Sequence, residues 1–211
     1  MIEGWEKRLR TFIAIELPDE VRAKLETLQD RLKKDTVIDG WLAGEAGISK
    51  VISWARPDTI HLTLKFLGDI EAGRVDAISG ELKKAAEGAN GFTINIHGFG
   101  GFPNLKNPRV MWVGVEESDG LRLLYENIES RMEPLGFERE KRGFSPHLTV
   151  GRVKDPRNGK RLGEKFEGLE IDVSASFRVS DIVLFKSELG PGGAAHTPLR
   201  RFLLKGNGRK P

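Results

Sequence analysis

The chain has 211 residues, no cysteine, 38% hydrophobic and 31% charged residues, and a formal net charge of +3. That excludes a disulfide framework, a thiol nucleophile and a zinc site with sulfur ligands, and it separates the chain from disordered and fibrous sequences. No run approaches the ~18 apolar residues of a membrane span, and Met1 to Arg10 is mixed in charge without an apolar leader core, so a single-domain, cytoplasmic, soluble protein is expected, read as a monomer.

Leu9 to Leu17 (LRTFIAIEL) reads as a buried strand ended by Pro18. Asp19 can cap a following helix whose Val21, Leu25, Leu28 and Leu32 share one apolar face. Asp35 to Lys50 has three glycines and no period, and reads as a surface excursion that includes Trp41. Val51 to Ala55 is a short strand, and Pro57-Asp58 is turn chemistry. Ile60 to Leu67 alternates: Leu62, Leu64 and Phe66 should face the core, with His61, Thr63 and Lys65 on the other side.

A helix is expected over Ile70 to Glu87, with Val75, Ile78 and Leu82 inward. Phe92 to Gly98 reads as a strand that leaves His97 exposed, and Gly98 to Pro108 as a Gly/Pro/Asn-rich loop. Arg109 to Val115 is a strand, and a helix capped by Ser118 or Asp119 should run to about Pro134. His147 to Val153 is a strand, and polar Asp155 to Gly168 reads as a helical turn or two. Leu169 to Ser176, Phe177 to Ser187 and Thr197 to Leu204 read as strands. Strands in clusters with fewer helices predict an α+β fold with antiparallel sheet.

Charge is unevenly spread. Residues 1–105 carry 14 Lys/Arg against 16 Asp/Glu, whereas residues 106–211 carry 20 against 15. Arg139 to Arg161 alone has eight basic and two acidic residues. A basic neighbourhood suits a polyanion such as RNA.

The most informative feature is a repeat. Ile60 to Gly68 reads IHLTLKFLG and Pro146 to Arg152 reads PHLTVGR, with the two histidines 86 residues apart. Side chains at i and i+2 share a strand face, so each histidine is paired with a threonine, at His61 and Thr63 and at His147 and Thr149. Two such strands side by side would set two imidazoles and two hydroxyls around one cleft. Imidazoles titrate near neutrality and can act as acid and base, and the hydroxyls can donate to phosphate oxygens. No H-x-H, H-E-x-x-H or carboxylate cluster accompanies them, so neither a metal nor a cofactor is expected.

The sequence resembles the 2H phosphoesterases, named for two H-x-T motifs, and among them the RNA 2′,3′-cyclic phosphodiesterases, also called 2′-5′ RNA ligases. The resemblance runs through FIAIELP (Phe12 to Pro18), HLTLKFLG, GFGGFPN (Gly98 to Asn104), RVMWVGV, FSPHLTVGR (Phe144 to Arg152) and LFKSELGPGG (Leu184 to Gly193). It implies two pseudo-twofold lobes, each a small antiparallel sheet with helices outside, with the active cleft between them and the whole of 1–211 as one bilobal domain. The implied substrate is RNA with a 2′,3′-cyclic phosphate end, tRNA halves included. Hydrolysis would give a 2′-phosphate, with His61 as general acid and His147 as general base, although the labels could be reversed. The resemblance also implies reversible 2′-5′ ligation, in which a 5′-hydroxyl is joined to the cyclic end.

Thr63, Thr149 and Arg152 are the expected phosphate ligands. On a regular strand Arg152 would face away from His147, and it reaches the cleft only if the strand ends or bulges there. Lys65, Phe102 and Arg142 are candidate RNA contacts. Two departures from the family pattern stand out: 35–50 reads as an insertion, and His196 stands where many members carry a tyrosine. A binding module with little catalysis, and an enzyme for cyclic phosphates of ADP-ribose, are the alternative functions.

Overall fold

The computed structural model of the protein describes residues 8–37, 47, 50–167, 169, 171–190 and 193–206. Most of the 35–50 segment, Trp41 with it, lies outside the described residues.

The strands are β1 (Arg8–Glu16), β2 (Ile52–Trp54), β3 (His61–Glu71), β4 (Phe92–Phe102), β5 (Val110–Val115), β6 (His147–Val153), β7 (Ser174–Val179), β8 (Asp181–Gly190) and β9 (Gly193–Leu203). The helices are α1 (Asp19–Val37), α2 (Val75–Glu87), α3 (Asp119–Met132) and α4 (Gly159–Phe166). The apolar face expected of α1 is buried in full, at Val21, Leu25, Leu28 and Leu32. Ser118 caps α3 by accepting from the Leu121 N–H, and Gly136 (φ 84°) closes the turn after it in the left-handed conformation.

The sheet is antiparallel, in the order β7-β4-β5-β6-β3-β1-β8-β9, with β2 also on β6. The order reads as two four-stranded halves meeting at β3 and β6. Their junction is a single residue pair, Leu62 opposite Leu148. The halves are not successive pieces of chain: β1, β3, β8 and β9 form one, and β4 to β7 the other. The helices cover one side of the curled sheet. There α2 lies under β8 and β9, and α1 lies under β7 beside α4. One core runs beneath both halves, while Phe12, Ala14, Val183 and Phe185 form a separate cluster on the opposite, open side of β1 and β8.

Four strand boundaries differ from the sequence reading. β3 continues past Leu67 to Glu71, so the helix expected from Ile70 begins only at Val75. The Gly98–Pro108 stretch is not a loop throughout, because β4 continues to Phe102. Its glycines are required by contact: a Cβ at Gly100 would stand 2.3 Å from the Trp112 ring. The pair expected at 169–176 and 177–187 breaks at Ser180 rather than Ser176, and β9 begins at Gly193, ahead of Thr197.

Candidate active site

Both H-x-T strands repeat one burial pattern. In β3, His61 and Thr63 are half-buried on the open face while Leu62 and Leu64 are buried in the core. In β6, His147 and Thr149 are half-buried while Leu148 and Val150 are buried. The antiparallel pairing of Leu62 with Leu148 brings the His61–Thr63 and His147–Thr149 segments side by side, running in opposite directions. The sheet junction therefore gathers two imidazoles and two hydroxyls on one face.

Each imidazole is anchored in the same way. The Nδ1 of His61 lies 2.8 Å from the Thr59 carbonyl oxygen, and that of His147 lies 2.7 Å from the Ser145 carbonyl oxygen. A carbonyl only accepts, so Nδ1 carries the hydrogen in both rings and Nε2 is left to exchange a proton.

The repeat continues into a bulge. In β3 the register against β1 slips after Thr63, where Ala14 faces Thr63 but Ile13 faces Lys65. In β6 the register against β5 slips at the same place, where Trp112 faces Thr149 but Met111 faces Gly151. The extra residue reverses the alternation. Lys65 is therefore not on the motif face. It is 7% exposed, and its ammonium donates to both Glu129 carboxylate oxygens at 2.8 Å and to the Glu138 carbonyl. An ammonium so enclosed does not reach RNA, and the expected Lys65 contact is replaced by a buried ion pair. Phe66, expected in the core, is 71% exposed on the open side. In β6 the same slip turns Arg152 outward to the face of His147 and Thr149, which removes the parity difficulty. Gln29, itself buried, holds this second bulge by donating to the Val150 carbonyl at 2.7 Å.

The surroundings of the two histidines differ. His61 stacks on Phe12 with ring centroids 4.6 Å apart, and His196 meets it edge-on at 5.1 Å. Burial, with His196 adding to it, pushes the His61 imidazole down to about 4, against the opposing pull of the Thr59 carbonyl. Burial and the nearby Arg56 also lower His196. His196 is on β9, just ahead of the strand start expected at Thr197. His147 instead rests against Phe102, edge-on at 4.9 Å, with Trp112 further off at 6.5 Å. Phe102 is thus a half-buried support for His147. Arg142 is exposed in the segment leading to β6. Phe12 and Phe185 went unread as site residues because β1 and β8 are apolar on both faces and give no alternation to follow.

Among the described residues, no three His, Cys, Asp or Glu side chains are grouped to hold a metal ion, and no helix is long and apolar enough to cross a membrane.

Residues 49–191 match the family model of the 2′-5′ RNA ligase superfamily. A protein of Methanothermobacter thermautotrophicus named RNA 2′,3′-cyclic phosphodiesterase is 34% identical over 93% of this chain and 100% of its own length. One of the same name from Thermotoga maritima is 32% identical over 94% and 97%. The structure of E. coli LigT complexed with 3′-AMP superposes with a TM-score of 0.70 at 25% identity, covering 94% of this chain and 99% of that one. A Thermus thermophilus structure gives 0.73 at 25% identity, covering 95% and 100%. With both H-x-T strands inside the matched region, the chain belongs to the 2′-5′ RNA ligase superfamily of 2H phosphoesterases.

Proposed function

We propose that the protein hydrolyses the 2′,3′-cyclic phosphate end of RNA to a 2′-phosphate, with His61 and His147 as its acid–base pair. The carrying observation is the junction itself: two H-x-T tripeptides face one another across Leu62 and Leu148, each with its Nδ1 tied back to the carbonyl two residues earlier. Relatives named RNA 2′,3′-cyclic phosphodiesterase and a LigT complex with 3′-AMP support the substrate class.

In the reaction, His147 Nε2 takes a proton from water as its oxygen bonds to phosphorus. The bond from phosphorus to the ribose 3′ oxygen breaks, and His61 Nε2 gives that oxygen a proton. Thr63 and Thr149 donate to the non-bridging oxygens, and Arg152 adds charge against the developing phosphorane. A His61 held near 4 enters the cycle neutral. The cyclic phosphate is an anion, and its arrival raises the proton affinity of an adjacent imidazole. Charging of His61 is thus coupled to substrate binding. With a 5′-hydroxyl in place of water, the same groups keep their roles: the 5′ oxygen bonds to phosphorus, the 3′ oxygen leaves and a 2′-5′ bond forms, with tRNA halves as one substrate, and run backwards, with the two histidines exchanging roles, they cleave that bond to restore the cyclic phosphate. Monomeric action in the cytoplasm completes the reading.

The test is incubation of the protein with a 2′,3′-cyclic nucleotide in EDTA. The expected product is the 2′-phosphate. Tight nucleotide binding without product would refute the enzyme reading in favour of a binding module, and a 3′-phosphate would refute the assigned leaving group.

A further inference from the structure

We propose that Gln29, Lys65 and Glu129 are positioning residues for the two histidines, arranged as two crosslinks that each tie one motif strand to the segment anchoring the other strand's histidine. This rests on the phosphodiesterase reading above and adds what holds its acid and base in place.

Among the described residues, four polar or charged side chains are buried: Thr11, Gln29, Lys65 and Glu129. Thr11 serves one half alone, donating to the Gly68 carbonyl at 3.4 Å. The other three bridge the halves. Glu129, on α3, accepts from the Lys65 ammonium at the bulge of β3 at 2.8 Å and from the Glu140 N–H at 3.1 Å. The same ammonium donates to the Glu138 carbonyl at 2.8 Å. Residues 138–140 open the segment that ends at Ser145, whose carbonyl anchors His147. Within that segment Phe144 stacks on Tyr125, with centroids 4.0 Å apart, one turn before Glu129 on the same helix. The first motif strand and α3 thus hold the anchor of the second histidine.

Gln29, on α1, does the converse. Its amide donates to the Val150 carbonyl at the bulge of β6 and to the Ala55 carbonyl, both at 2.7 Å. Ala55 opens the segment that ends at Thr59, whose carbonyl anchors His61. The tight turn Pro57–Thr59, closed by the Thr59 N–H on the Arg56 carbonyl at 2.9 Å, carries that position along. The crosslinks answer a weakness of the sheet: β3 and β6 meet at the single pair Leu62–Leu148, so the ladder alone does little to fix one imidazole against the other. Well-packed apolar side chains would serve stability at a buried site at least as well as an ion pair. The polar groups instead land on the backbone that leads to each anchoring carbonyl, where a displacement of about 1 Å can cost on the order of 10²-fold in rate.

The experiment reads the two imidazole tautomers by nitrogen NMR, at a pH where ordinary imidazoles are neutral, beside hydrolysis of a 2′,3′-cyclic nucleotide. In the wild type both rings should carry the hydrogen on Nδ1. The double variant Lys65→Met, Glu129→Leu removes one crosslink without leaving a buried unpaired charge, so the protein stays folded. It should mix the His147 tautomers, leave His61 as it was, and lower kcat roughly ten- to a hundredfold with KM little changed. Gln29→Leu should do the converse and mix the His61 tautomers alone. Either variant by itself tests the crossing. If the double variant changed His61, both rings alike or neither, the crosslinks would be refuted, and the same holds for Gln29→Leu with the rings exchanged. A wild type that hydrolyses no cyclic nucleotide would sink the phosphodiesterase reading alone, since the tautomers still decide the crosslinks.

Discussion

The two motif strands β3 and β6 agree in residue type through four residues and then part. Each sets a histidine and a threonine on the open face, buries the next apolar residue and bulges. After the bulge one strand presents Phe66 outward over a buried Lys65, and the other presents Arg152 outward over a buried Gly151. The shared part is what a reacting phosphate requires from both sides. The unshared part differentiates the halves: one closes around its histidine with aromatic rings and an ion pair, the other stays open and cationic. On the proposed reading, pseudo-symmetry supplies the acid–base pair, and departures from it set how a substrate lies.

The largest effect should come from the shared part. His61→Ala and His147→Ala should each lower kcat by roughly 10²–10⁴-fold, measured on a cyclic nucleotide. Equal losses keep the halves equivalent in chemistry, and a large loss from only one would break the comparison there.

The two bulges are pinned differently, and stability should show it. Lys65→Met leaves the Glu129 carboxylate buried without its partner and should cost about 3–5 kcal/mol in denaturant unfolding. Adding Glu129→Leu should return much of that loss. Gln29→Ala, which frees only the Val150 and Ala55 carbonyls, should cost about 1–3 kcal/mol. Similar costs at both sites would mean that the ion pair is more exposed than its 7% and 2% residue exposures indicate.

The residues beyond the bulges come next. Arg152→Ala should lower kcat/KM by roughly ten- to a hundredfold, the scale of one charge-assisted hydrogen bond of ~1.5–3 kcal/mol, with Arg152→Lys recovering part. Phe66→Ala should act less on a mononucleotide. If Phe66 mattered more than Arg152, the phosphate would lie nearer the other half.

The smallest effect is spectroscopic. In the free protein, His61 should titrate near pH 4 by NMR, well under the ordinary 6.5. Because folding favours its neutral form, its contribution to stability is complete above 6.5 and is lost as pH falls toward 4. Adding inorganic phosphate should move that titration upward, and His196→Ala should also raise it. A midpoint near 6.5 in the empty cleft would mean that Phe12 and His196 do not shield His61 from water.

Period-two alternation made the histidines and threonines legible, because Leu62, Leu64, Leu148 and Val150 mark the core side without ambiguity. The same rule misplaced Lys65 and Phe66, since a bulge adds one residue and reverses every face beyond it while leaving no mark in composition. It also left Arg152 on the wrong side until the bulge was seen. Gly100 and Gly101 read as loop glycines when they are strand positions emptied by Trp112 and Pro108. His196 was hidden because its nearness to His61 depends on β8 and β9 returning to the first half of the sheet, a long-range pairing that local pattern does not encode. Among the described residues, the nine strands and helices α1 to α4 followed from periodicity. The interleaving of the two halves did not.

The most direct test of the central claim is single-turnover hydrolysis of a 2′,3′-cyclic nucleotide by His61→Ala, His147→Ala and the double variant. Groups that act as one acid–base unit predict a large loss in each single variant and little further loss in the double. Near wild-type turnover in either single variant would contradict the account.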